Sequence, residues 1–444
     1  MHWGECPAHY GAIHFHSDIV GDCGWPVSFE FPIPKDLCSG AYAFRLECEG
    51  GEDWLPFYVL PPAEGPHARM VFVAPTFTYQ AYANAIAGYI EDFKERVRAW
   101  NAYPYDARDY PVYGRSLYDL HPDGSGVSLS SRLRPILSMR PGAITVLDAK
   151  GSGVRHYSSD LHLLAWLESQ GFACDIVTDE DLHEEGVSIL EPYALVLTGT
   201  HPEYQTAQSL NAFRDYLQRG GNLAYLGGNG FYWRVAKSPE CPDVIELRRA
   251  EGGTRIWASK TGEYYHALDG TYGGLWRHNG RTPQSLVGVG FSAQGPFEAT
   301  HYTRTEASRS ETVSWIFDGV TDEVIGDYGL SAGGAAGYEV DRADVCLGTP
   351  PEAVIIATSA RMPASFYPTM EEMLIKGLTF TGASPESLLR SDMVYYRTPA
   401  GGAVFSVGSI TFCGSLWKDG FCGPVSRILE NIVRRFSTST GNDG

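Results

Sequence analysis

An α/β fold built on a mostly parallel sheet is predicted by two features of the chain. From about residue 70, short apolar runs alternate with segments of helical period, and each run ends in glycine, threonine or another turn former. The preceding stretch has a different rhythm. Residues 25–60 alternate apolar with polar positions between Gly, Pro and Asp punctuation, so a partial β-sandwich module over 1–66 is expected ahead of an α/β domain over 67–444.

In chain order, WPVSFEFPIP, AYAFRLEC and WLPFYVLPP read as strands separated by the turns KDLCSG and EGGED, with Pro61, Pro62 and Pro66 forming a linker. MVFVAP is a buried strand and AITVLD a second. Residues 158–170 predict a helix, with apolar positions at 161, 164, 165 and 167 and Gly171 as its stop. FACDIVT and YALVLTGT are further strands, SLNAFRDYLQRGG a helix ending in a glycine pair, and NLAYLGG the next strand. Residues 250–345 are rich in Gly, Trp and Tyr without helical period and predict a long aromatic insertion folded over the sheet. AVFSVGSITFCGSL supplies a late strand or hairpin. PVSRILENIVRRF is a closing helix, apolar at 428, 429, 432, 433 and 436 with proline at its first position.

Composition excludes several function classes. With 34 Lys+Arg against 53 Asp+Glu the net charge is −19, which opposes capture of nucleic acid or of an anionic membrane surface. No run approaches the roughly 20 apolar residues of a spanning helix, and the first residues show neither a basic start nor an apolar signal core, so a cytoplasmic location is expected. Nine cysteines without a CxxC pair argue against a disulfide framework or thiolate zinc site and are expected to be mostly buried thiols.

Familiar catalytic signatures are missing. At the strand-to-helix elbow, where such a sheet often carries its nucleophile, the sequence reads LGGNGFYW, with Asn229 and Gly230 in place of Cys or Ser. Neither GxSxG, HExxH nor GxxxxGK[ST] occurs, and Gly288, Gly290 and Ala293 mimic a dinucleotide fingerprint without its strand-turn-helix frame. Polar groups do cluster after apolar strands, in APTFTYQAYANA (74–85), SLYDLHPDGSG (116–126), LTGTHPEYQT (197–206) and LGGNGFYW (226–233).

These blocks, in this order and spacing, resemble the large subunit of N,N-dimethylformamidase from about residue 25 through most of the chain. The resemblance implies a glutamine-amidotransferase-like α/β domain without the cysteine, carrying mononuclear iron, Fe(III), and hydrolysing a small amide to an acid and an amine. It implies Tyr118 and Glu203 as iron ligands, with a tyrosine of TFTYQAY as the third, Tyr79 by spacing in preference to Tyr82. It further implies His201 as a hydrogen-bond donor, Asn229 as an orienting amide and Glu339 as the general base. The expected partners are a small amide substrate, a small subunit and a homo-oligomer. The family's large subunit carries further β-rich, lectin-like domains that this sequence does not show.

The chemistry of these residue types agrees with that set. A phenol, with pKa about 10, ionises at neutral pH only beside a strong Lewis acid. Two phenolates and a carboxylate balance a trivalent hard cation, which can activate a carbonyl or water. Weighed singly the same residues have plain structural readings: tyrosine as core, Glu203 at a helix start, Asn229 in a turn. Asp119, His121 and Asp123 form a rival metal set, although Pro122, Asp123 and Gly124 favour a turn there, and His9, His14 and His16 lack partners at zinc-like spacing. Two other functions compete: a non-catalytic amidotransferase-like ligand- or partner-binding scaffold, and carbohydrate processing by Glu203 and Glu339.

Overall fold

The computed structural model describes residues 5–9, 16, 18–86, 93–144, 154–250, 256–359, 361–372 and 385–438. Its centre is a nine-stranded sheet in the order Val324–Ile325, Tyr302–Arg304, Val354–Ser359, Asp392–Arg397, Ala403–Ser406, Asn222–Tyr225, Leu195–Thr198, Met70–Ala74, Asp175–Thr178. From Ala403–Ser406 to Asp175–Thr178 every pairing is parallel. From Ala403–Ser406 to the other edge every pairing is antiparallel. The sheet is therefore mixed.

The apolar runs that predicted the parallel strands are continuous because both faces are covered. Phe72, Ala74, Leu195, Leu197 and Ala224 face one core with Leu163, Trp166 and Leu167 of helix Tyr157–Ser169 and Ile428, Leu429, Ile432, Val433 and Phe436 of helix Pro424–Thr438. Their neighbours Val71, Val73, Val196 and Leu223 face the opposite core with Leu182 of helix Asp179–Glu185 and Leu210, Phe213 and Leu217 of helix Ala207–Gln218. The alternation of successive side chains between the two cores is the period of two that a strand imposes. Thr206 and Ser209 form a capping box at the start of Ala207–Gln218.

The stretch 250–345 is more than an insertion lying over the sheet. Tyr302–Arg304 and Val324–Ile325 are edge strands of the central sheet itself. Gly290–Thr300 and Ala336–Arg342 pair with each other and, with Tyr367–Pro368, make a separate three-stranded sheet. Several of these strands are only two or three residues long, too short to show a period in the sequence. A four-stranded sheet of Leu129–Ser131, Cys241–Leu247, Trp233–Ser238 and Tyr204–Gln205 completes the surroundings of the site.

Within 1–66 the described residues form one hairpin, Gly40–Cys48 with Gly51–Val59, whose Ala41 and Tyr58 pack on the main core. The strand expected in 25–34 joins no ladder. Pro26, Pro32 and Pro34 lack the N–H that pairing needs, and Trp25, Val27, Phe29, Phe31 and Ile33 stay exposed. The strand expected at 143–148 falls largely outside the described residues, as does His14. The thiols also differ from expectation: all nine are free, but only Cys413 is buried and five are exposed. Gly288 caps the short helix Gln284–Val287 at φ 78°, and Gly290 opens a strand, so no nucleotide-binding turn forms there.

Candidate functional site

The carboxyl ends of three adjacent parallel strands converge on one place. Met70–Ala74 leads into the short helix Thr76–Ala81, which ends at Tyr82. Leu195–Thr198 leads to His201 and Glu203, and Asn222–Tyr225 leads to Asn229. Thr78 Oγ1 accepts the Glu203 amide N–H at 3.0 Å, tying the first two segments together.

The third segment is shaped by its glycines. A Cβ at Gly227 would lie 2.4 Å from the Thr200 carbonyl oxygen, and one at Gly228 would lie 2.6 Å from that of Glu339. Only glycine lets the backbone pass between the Thr200 loop and the strand that carries Glu339. Asn229 follows at φ 49°, its N–H donating to Asp341 Oδ1 at 2.7 Å, while Tyr225 Oη donates to Asp341 Oδ2 at 2.7 Å and accepts from the Gly230 N–H.

On this frame Tyr82 Oη lies 2.6 Å from Tyr118 Oη and 2.8 Å from Glu203 Oε2, and Tyr118 Oη lies 3.2 Å from Glu203 Oε1. Tyr204 Oη reaches Tyr118 Oη at 2.8 Å. Asn229 Nδ2 spans Glu203 Oε1 at 3.3 Å and Glu339 Oε2 at 3.2 Å, and His201 Nε2 stands 3.2 Å from an oxygen of each carboxylate. Glu339 reaches the cluster from the strand Ala336–Arg342, with the Arg155 guanidinium 3.8 Å from its other oxygen.

The structure thus brings together Tyr118, Glu203, His201, Asn229 and Glu339. Tyr79, expected among the ligands, does not join them. Its hydroxyl donates to buried Asp160, beside Tyr157 at a ring distance of 6.1 Å, and Tyr82 occupies the place expected of it. The two tyrosines lie three residues apart. One sits within the helical turn facing helix Tyr157–Ser169, the other at its C-terminal cap, where the chain bends toward Glu203. The spacing between sequence blocks does not contain that bend.

Burial raises the Tyr82 hydroxyl well above its ordinary range, with the Glu203 charge adding to it. Burial and the Glu203 charge push Tyr118 up to about 12, against the pull of Arg249. Both phenols therefore keep their protons at neutral pH unless a cation displaces them. Glu203 shows the opposite balance. Burial pushes its carboxyl up, but His201, Tyr82 and Arg249 together hold it below the usual range.

The donor count bears on whether a metal fits. Three hydroxyls, of Tyr82, Tyr118 and Tyr204, have three protons, yet they and Glu203 make four close O···O contacts. At least one contact has no proton to share. Oxygens each about 2.1 Å from one hard cation lie about 3 Å apart when bound at right angles, close to the spacing seen among Tyr82, Tyr118 and Glu203. The residues present fit a hard cation such as ferric iron.

The cluster opens into a cavity of about 590 Å3, whose lining includes Tyr103, Tyr105, Leu137, Phe291 and Tyr338. The set Asp119, His121 and Asp123 does not converge: Asp119 accepts from Ser116 and Asp123 from Ser125, within a turn whose Gly124 has φ 82°. His121 instead joins His16 and Asp18, their ligand-capable atoms within 4.8 Å of one another. The two imidazoles stack at 3.7 Å, only 5° from parallel, so their in-plane lone pairs do not aim at a common point.

Residues 2–422 match the family model described as N,N-dimethylformamidase beta subunit-like, C-terminal. The chain is 38% identical over 445 residues to the N,N-dimethylformamidase beta subunit of Paracoccus aminophilus and 37% identical over 446 residues to that of an Alcaligenes species, each alignment taking in 97% of this chain. The chain belongs to this family. It spans 57% of the length of each of these two relatives. Among solved structures, a thua-like protein from Bacteroides uniformis ATCC 8492 is similar at 11% identity and a TM-score of 0.30, over 64% of this chain and 84% of that one. So low a score assigns no fold.

In this member of the N,N-dimethylformamidase beta subunit family, four residues at the site are not singled out by the sequence: Arg155, already placed beside Glu339, and Tyr204, Arg249 and His156. Tyr204 sits inside the HPEY block next to Glu203, and that adjacency is the one signal that could have found it. Arg249 is fully buried, its guanidinium 4.6 Å from the ring centroids of both Tyr118 and Trp233, a cation held beneath the phenols. His156 lines the cavity with its ring 4.2 Å from that of Tyr82. Neither Arg249 nor His156 carries any local signal, because each is placed by tertiary packing.

Proposed function

We propose that this chain hydrolyses a small N-substituted amide of the dimethylformamide type, to formate or another acid and an amine, with one ferric iron held by Tyr82, Tyr118 and Glu203. The observation that carries the reading is the meeting of those three oxygen donors, within 2.6 to 3.2 Å of one another, beside a second carboxylate at the floor of a cavity. Both curated relatives carry the name of that amidase. The parallel half of the sheet serves, on this reading, as an amidotransferase-like scaffold whose elbow holds Asn229 in place of a nucleophile.

Bound iron supplies Lewis acidity toward the amide carbonyl or the attacking water. The residues of the chain do the rest. Glu339, tethered by Asn229 and facing His201, accepts a proton from water as its oxygen attacks the carbonyl carbon. As the C–N bond breaks, the same carboxyl returns that proton to nitrogen, which otherwise leaves poorly. Asn229 fixes the distance between Glu203 and Glu339, and Arg155 provides a counter-charge to Glu339. Leu137, Phe291 and Tyr338 give part of the cavity wall an apolar surface against which a small amide can pack.

The names of the relatives support a partner subunit, and a homo-oligomer belongs to the same proposal. Nine free thiols, five of them exposed, suit the reducing cytoplasm, and no helix among the described residues is long and apolar enough to cross a membrane. Incubating the purified chain with dimethylformamide, with and without a co-expressed small subunit, tests the reading through release of formate and dimethylamine. Release that disappears in Glu339→Gln is expected. Absence of release in both preparations overturns it.

A further inference from the structure

Two consecutive residues, Arg155 and His156, enter the cavity from the segment just before helix Tyr157–Ser169. His156 has φ 50° and ψ −124°, a backbone conformation that residues with a Cβ rarely adopt. Its ring lies 4.2 Å from that of Tyr82 and 5.4 Å from that of His201. The side chain is buried, and Nε2 makes no hydrogen bond among the described residues. The Arg155 guanidinium lies over the rings of Tyr82 and Tyr338, at 5.0 and 4.9 Å.

Each of these features is unfavourable if the position only fills space. Glycine would relieve the backbone, and an apolar ring would pack on Tyr82 without leaving a buried nitrogen unpaired. Both costs fall on a residue whose ring lines the cavity beside a candidate iron ligand. Unpartnered polar atoms in a cavity of this kind are where a ligand's polar atoms find their partners.

We propose that His156 is a substrate-contacting residue whose Nε2–H donates a hydrogen bond to the carbonyl oxygen of the bound amide, holding that oxygen beside Tyr82. The ligand class is a compact carbonyl acceptor, an amide or a urea. The inference rests on the amidase reading for its catalytic consequence, but the contact itself is testable by binding alone.

Three variants separate contact from scaffolding. His156→Phe keeps a ring against Tyr82 but lacks the donor, His156→Gln restores an N–H, and His156→Gly suits the positive φ and leaves space for added imidazole. For His156→Phe, kcat/KM on dimethylformamide is expected to fall about 100-fold, as when one donor is removed from an oxyanion-binding site, with iron content unchanged. His156→Gln and imidazole-supplemented His156→Gly should each recover part of the loss. Binding of tetramethylurea, an unreactive carbonyl probe, should weaken in parallel. Activity and probe affinity of His156→Phe within about threefold of wild type would overturn the proposal. So would a loss matched by equal loss of iron, or one that neither glutamine nor imidazole repairs. A wild-type chain that hydrolyses no amide yet binds tetramethylurea through His156 would sink the amidase reading and leave the contact standing.

Discussion

Tyr82 Oη lies 2.8 Å from Glu203 Oε2, whereas Tyr79, one helical turn earlier, gives its hydroxyl to Asp160. The two tyrosines therefore have different consequences when their hydroxyls are removed. Tyr79→Phe is expected to keep iron and activity while lowering stability by about 1–3 kcal/mol, since a buried carboxyl loses a donor. Urea unfolding followed by fluorescence, beside iron analysis, checks both parts.

What could be read from sequence was what local pattern determines. The runs at Met70–Ala74, Leu195–Thr198 and Asn222–Tyr225 announced buried strands, and 428, 429, 432, 433 and 436 announced the buried stripe of Pro424–Thr438. Within the antiparallel half, Tyr302–Arg304 and Val324–Ile325 were hidden because they are too short to show a period. The site divides in the same way. His201, Glu203 and Asn229 follow directly from strand ends, but the choice between Tyr79 and Tyr82 turns on where one short helix stops. Arg249 and His156 are brought to the site only by packing against residues distant in sequence.

In the proposed mechanism Glu339 moves protons without holding iron. Glu339→Gln is expected to lower kcat by about 10²- to 10⁴-fold, the usual effect of losing a general base, with iron content retained. Steady-state kinetics and metal analysis on the same preparation test this. Loss of iron in step with activity would move Glu339 into the ligand set.

Gly228 is fixed by two backbones rather than by solvent. In Gly228→Ala the new Cβ would meet the Glu339 carbonyl oxygen at 2.6 Å and the Ile410 nitrogen at 2.9 Å, and neither can swing away. A cost of about 1–3 kcal/mol is expected, with a larger fall in activity because Asn229 is the next residue. Gly21→Ala, with nothing within 4 Å of the added carbon, is the control and should unfold like wild type.

Two buried carboxyls link stability to pH. Burial pushes Asp160 up to about 6 and Asp341 up to about 7, against the hydrogen bonds each accepts. A folded-state pKa raised above the unfolded value favours the protonated form in the fold. That stabilisation is complete below about pH 4 and is lost as pH rises through 6 and 7. Each tenfold gain in proton affinity on folding is worth about 1.4 kcal/mol, so the loss is on the order of a few kcal/mol per group. Asp341→Asn, which cannot ionise, should flatten the decline between pH 5 and pH 8. An equally steep decline in the variant would remove Asp341 from the account.

The most direct measurement is iron content with the visible spectrum of the aerobically purified chain, beside Tyr82→Phe and Tyr118→Phe. About one iron per chain with a phenolate-to-iron absorption band is expected, with loss of band and iron in both variants. A colourless, iron-free wild-type protein, or a band that survives in Tyr82→Phe and vanishes in Tyr79→Phe, would contradict that expectation.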